Sequence, residues 1–86
     1  MANDIEEVKA RLNAAYPMVG IQQLVGTHPG DDIGLWFFRA TGIEVQLEST
    51  TGNCPFLVET DAHGRRAWAR SVEEAIELIE SELHLR

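Results

Sequence analysis

The chain has little of several things that usually announce a function. It carries one cysteine, Cys54, in 86 residues. An intramolecular disulfide is therefore impossible and a disulfide-stapled secreted scaffold is excluded, so a reducing, cytoplasmic setting is the expectation. Basic residues are scarce, seven Lys and Arg against fourteen Asp and Glu, for a net charge of −7. Nucleic-acid binding neutralises phosphates with several cations, and an acidic chain is poorly equipped for it. No run of about 18 apolar residues could cross a membrane. The opening Met-Ala-Asn-Asp-Ile-Glu-Glu is acidic and lacks the apolar core of a signal peptide. Gly-rich phosphate loop, nucleophile elbow and CxxC pair are all missing, so neither enzyme chemistry nor a cofactor is expected.

What remains is an ordinary globular composition, 44% hydrophobic and 24% charged. The length suits one domain over residues 1–86, with a thin but sufficient core. There is no internal repeat, linker or low-complexity run.

Residues 4–16 read as a helix. Asn3 is a good N-cap with Glu6 three residues on, Ile5, Val8 and Leu12 form an apolar stripe, and Pro17 ends the run. A second helix begins after Ser71, which with Glu74 makes a capping box. Val72, Ala75, Ile76, Ile79 and Leu83 supply its apolar stripe, with Glu73, Glu77 and Glu80 opposite and Glu82 nearby. Between the helices lie strand-like segments at about 18–25, 33–40, 42–49, 55–59 and 65–69, with turn-rich loops at 27–32 and 49–53 and turns at Thr41-Gly42 and 61–64. Strands bracketed by helices imply α+β, and short links imply an antiparallel meander. The expected fold is a two-layer α/β sandwich, a four- to five-stranded antiparallel sheet with both helices on one face.

The patterning of two strands bears on function. Ile43-Glu44-Val45-Gln46-Leu47-Glu48 alternates, whereas Leu35-Trp36-Phe37-Phe38 is apolar on both faces. Either Trp36 with Phe38 or Leu35 with Phe37 shares the face of Glu44, Gln46 and Glu48, which two helices on the other side leave uncovered. Trp is common at interfaces, so Trp36 and Phe38 are the expected exposed pair, joined by Trp68. These residues, with Glu44, Glu48 and the acidic helix face of Glu73, Glu77 and Glu80, form the candidate partner-binding surface. The partner would be a protein, basic in complement to the acidic face, or a second copy giving a homodimer.

Other clusters have duller readings beside sharper ones. Arg65, Arg66 and Arg70 could hold an anion, or pair across strands with carboxylates such as Glu59 and, through Arg39, Glu44. Cys54, Asp61 and His63 suggest a thiol–imidazole site, but the strand between them sets its ends about 20 Å apart. His28, Asp31 and Asp32 fit neither zinc nor calcium spacing, and no metal is expected. Glu44 and Glu48 share a face but have no pocket to separate their pKa values. The chain thus reads as a small acidic, non-enzymatic protein-binding module, self-associating through an aromatic sheet face. An immunity-type inhibitor of a basic partner, a secretion-chaperone-like protein, and a small-molecule-binding domain or enzyme with a dimer-interface pocket are the alternatives.

Overall fold

The structure, a computed structural model, describes residues 3–23, 34–60 and 64–85. Its elements run α1 (Asp4–Ala15), β1 (Gly20–Gln23), β2 (Leu35–Ala40), β3 (Ile43–Glu48), β4 (Phe56–Thr60), β5 (Arg65–Ala69) and α2 (Val72–Glu82). The expected α+β sandwich is observed, a five-stranded antiparallel meander in the order β1-β2-β3-β4-β5 with both helices on one face. The 27–32 loop, the end of the 18–25 segment and His28, Asp31, Asp32, Asp61 and His63 lie outside the described residues.

Each helix starts where its cap dictates. Asn3 Oδ1 accepts the Glu6 N–H at 3.3 Å, and Ser71 Oγ accepts the Glu74 N–H at 3.1 Å, satisfying amides that have no partner in a first turn. The α1 stripe Ile5, Val8 and Leu12 is buried against the sheet. Its N-terminus is also tied to the β3–β4 loop. The Ile5 N–H donates to Gly52 O at 2.9 Å, the Asp4 N–H to Asn53 Oδ1 at 3.0 Å, and the Cys54 N–H to Asp4 Oδ2 at 2.8 Å.

α2 ends in a Schellman arrangement. The Leu85 N–H reaches Glu80 O at 2.9 Å and the His84 N–H reaches Ser81 O at 3.3 Å. His84 takes the left-handed position, φ 55°, that glycine usually fills there. The β2–β3 turn docks nearby, with Thr41 Oγ1 3.2 Å from Leu83 O. One correction concerns Glu82, expected near the wet side of this helix. It is 7% exposed, because Ala75, Ile79 and Glu82 recur at helical spacing on the inner stripe, and Arg65 lies 3.9 Å from its carboxylate.

The helices lie side by side. Arg11 Nη1 is 3.3 Å from Glu73 Oε1, and Tyr16 Oη donates to Glu80 Oε2 at 2.5 Å, so both helices run in the same sense. Beneath them Phe38, Phe56, Val45 and Leu47 are fully buried.

Register settles the faces of the aromatic strand. The two-residue turn Thr41-Gly42, with φ of 55° and 79°, makes Ala40 oppose Ile43. Trp36 then opposes Leu47, and Phe38 opposes Val45. Directly opposed residues share a face, so Trp36 and Phe38 point at the helices. They are 5% and 0% exposed, members of the core and not of an outer surface. The expectation that this pair is exposed is therefore overturned, and Leu35 with Phe37 takes the outer face.

Candidate functional site

The outer sheet face is built from two cross-strand rows. One runs Leu35, Glu48, Leu57, Trp68, and the other Gln22, Phe37, Gln46, Glu59, Arg66. Arg39 and Glu44 face each other one row further on. Trp68 is 61% exposed, while Leu57 beside it is 9% exposed between Glu48 and the indole. Leu35 and Phe37 are half-buried. Among the described residues both helices lie on the other side, and this face carries Trp68, Leu57, Leu35 and Phe37 with exposed Glu48 set between Leu35 and Leu57.

Those charges are largely spent on one another. Arg66 Nη2 lies 3.1 Å from Glu59 Oε1, and Arg39 Nε donates to Glu44. These are the cross-strand pairs that the sequence offered as the alternative to an anion site. Both cations are well exposed, so each pair contributes ~0–1 kcal/mol. Arg65, directed to Glu82, belongs to the helix side of β5, away from Arg66. Arg70 follows the strand and is exposed.

The acidic face of α2 is not a continuous free surface. Glu73 is held by its own backbone amide and by Arg11, which together keep its carboxyl below the usual range, while Glu73 and Glu7 raise the Arg11 guanidinium. Glu80 is half-buried against Tyr16. Glu77 is exposed between them. The stripe Glu73, Glu77, Glu80 thus flanks the seam with α1, on the opposite layer of the molecule from Trp68. The eight residues proposed for one partner surface are distributed over three places: Trp36 and Phe38 in the core, Glu44, Glu48 and Trp68 on the outer sheet face, and the three glutamates on the helix layer.

At one corner of the outer face the chain forms a groove. The β3–β4 loop rises beside Leu57 and Trp68 and encloses an open space of about 540 Å³ lined also by Glu48, Ser49, Thr51, Asn53 and Pro55. A second space of about 500 Å³ continues from Cys54, Pro55 and Trp68 to Arg70. The loop wall is stiffened from within, since Ser49 Oγ donates to Asn53 O at 2.6 Å and the Asn53 N–H reaches Thr51 Oγ1 at 3.2 Å. Gly52 is required there. Its φ is 76°, and a Cβ would meet Asn3 Nδ2 at 2.6 Å.

Cys54 in this wall is a free thiol and a poor nucleophile. Burial, and then the neighbouring Asp4 carboxylate, push it up to about 11, so the thiolate is scarce at neutral pH. Among the described residues no group of three His, Cys, Asp or Glu side chains is arranged to hold a metal ion. No described helix is long and apolar enough to cross a membrane.

Two features of this site escaped sequence reasoning. The placement of Leu35 and Phe37 on the outer face was readable from the turn, since counting back from a two-residue link at Thr41-Gly42 sets Trp36 against Leu47. The groove had no such signal, because it depends on how the 49–55 loop folds over β4 and β5. Comparison with protein-family models, with curated proteins and with solved structures finds no match to this chain.

Proposed function

We propose that this chain is a small non-enzymatic binding module that pairs with a second copy of itself through the outer face of its sheet. The observation that carries the reading is Trp68, 61% exposed and in one row with Leu57, Glu48 and Leu35 on the face away from both helices. Exposed apolar strips of this kind on small proteins mark contact surfaces.

Charge favours a like copy as the occupant. The whole chain carries −7, which repels a second copy over most approaches. The outer face holds Arg39 and Arg66 against Glu44, Glu48 and Glu59, so it is nearly neutral. Two copies therefore meet with least repulsion through this face, and a twofold pairing sets each mixed row against its equivalent. A basic partner is less well served, because Glu73 and Glu80 on the helix layer are already engaged with Arg11 and Tyr16.

Area sets the strength. Five strands about 4.8 Å apart, of four to six residues at about 3.3 Å each, present roughly 400 Å² per copy. Face-to-face pairing buries on the order of 800–1,000 Å² in total, the lower edge of specific interfaces. A weak dimer, dissociating at about 10–100 µM, is the expected result. The single free thiol suits a reducing cytoplasm as the setting.

Sedimentation velocity across about 5–500 µM tests the proposal. The wild-type chain should shift from monomer to dimer, while Phe37→Glu and Trp68→Ala should stay monomeric with unchanged circular dichroism. A wild-type chain that stays monomeric throughout, or variants that dimerise like it, would overturn the reading.

A further inference from the structure

The cations of this chain single out one position. Among the described residues, Lys9, Arg11, Arg39, Arg65 and Arg66 each have a carboxylate within ion-pair reach. Arg70 has none among them, although acidic residues outnumber basic ones fourteen to seven. It stands two residues beyond Trp68, and the two side chains line the same groove with Cys54 and Pro55.

We propose that this groove binds a small aromatic carboxylate, its ring against the Trp68 indole and its carboxylate on the Arg70 guanidinium. The chemistry is complementary at each end. An exposed indole offers a flat apolar face for an offset-stacked ring. Arginine presents a planar fork that a carboxylate meets with two parallel hydrogen bonds. Pro55 and Leu57 line the space beside the indole and add apolar wall. Glu48 repels an anion at the far end of the groove, across Leu57 from Trp68; at the near end Glu74, whose carboxylate accepts the Arg70 N–H at 3.4 Å, adds a negative charge that the Arg70 guanidinium must outweigh. Spaces of about 500 and 540 Å³ are the size of small-ligand sites.

The site does not depend on the dimer, although both use Trp68, and the two proposals fail separately. Phe37→Glu removes the pairing face and leaves the groove, while Arg70→Gln removes the anion contact and leaves the apolar strip.

The experiment is a titration of the full chain with 2-naphthoate, 2-naphthamide and a short peptide ending in phenylalanine, followed through the two tryptophan indole N–H signals by NMR. In dilute Phe37→Glu protein the Trp68 signal should move with 2-naphthoate while that of buried Trp36 stays. The amide should bind at least about tenfold more weakly, and Arg70→Gln should weaken 2-naphthoate by a similar factor. Arg66→Gln, whose cation already serves Glu59, should stay within about twofold. No movement up to about 5 mM, equal binding of acid and amide, or equal losses in Arg66→Gln and Arg70→Gln would overturn the proposal. So would a peptide that binds about tenfold more tightly than 2-naphthoate, since it would make a protein terminus the occupant.

Discussion

Replacing Trp36 and Trp68 separately with alanine separates the two faces of the sheet. Trp36 is 5% exposed, between Leu47 and Gln23 on the helix side of β2. A tryptophan offers up to ~250 Å² of surface, and at ~25 cal/mol/Å² its burial is worth at most ~6 kcal/mol. Alanine retains a little of this and the helices relax only in part, so the expected loss for Trp36→Ala is ~3–5 kcal/mol. A chain of 86 residues has a total stability of ~4–13 kcal/mol, so this variant loses about a quarter of it or more. Trp68 is 61% exposed, and its truncation should cost only ~1–2 kcal/mol. Urea unfolding followed by far-ultraviolet circular dichroism, at a concentration where the chain is monomeric, measures both losses. If Trp36→Ala unfolded within ~0.5 kcal/mol of wild type while abolishing self-association, Trp36 would belong to the outer face and the register argument would be wrong.

Three further outcomes follow from particular contacts. Gly34→Ala should destabilise the chain by at least ~3 kcal/mol or prevent folding, because a Cβ there would lie 1.7 Å from the backbone oxygen of Ser49; a urea midpoint like wild type would contradict that close approach. His84→Gly should raise stability by ~1 kcal/mol, since glycine adopts the left-handed residue of the α2 terminus without strain, and a lowered melting temperature would count against it. Cys54 should react slowly with iodoacetamide at pH 8 and faster as pH approaches about 11, whereas the urea-unfolded chain should show an ordinary thiol profile. The linkage has a fixed sign: between the unfolded and folded pKa the unfolded chain loses its proton first, so this group makes stability fall as pH rises. An alkylation profile identical in folded and unfolded protein would remove the basis for treating this thiol as inert.

Much of the architecture was legible in local chemistry. Asn3 and Ser71 mark helix starts because a side-chain oxygen there satisfies a first-turn amide, and the stripes after them can bury only one face. The alternation of residues 43–48 announced a sheet with one wet side, and residues 35–38 announced a strand dry on both. The position of Glu82 was less accessible. A carboxylate on an inner stripe contradicts the hydrophobic pattern, and one of its partners, Arg65 of β5, lies 3.9 Å away across the helix–sheet boundary. The acidic stripe of α2 read as a free charged face because nothing local indicates that α1 runs beside it and spends Glu73 and Glu80.

By itself the sequence determined the element order, the antiparallel meander between two capped helices and the existence of an apolar surplus on β2. These rest on neighbours a few residues apart, where spacing alone decides which side chains can meet. Tertiary structure decided which half of that surplus is spent on the core, because Trp36 and Phe38 follow Leu47 and Val45 across the ladder and the helices close over that side. It also brought Trp68 into line with Leu57, and the 49–55 loop up to Trp68 and Arg70. Those meetings join residues distant in the chain, so strand register and loop packing created the exposed strip and the groove.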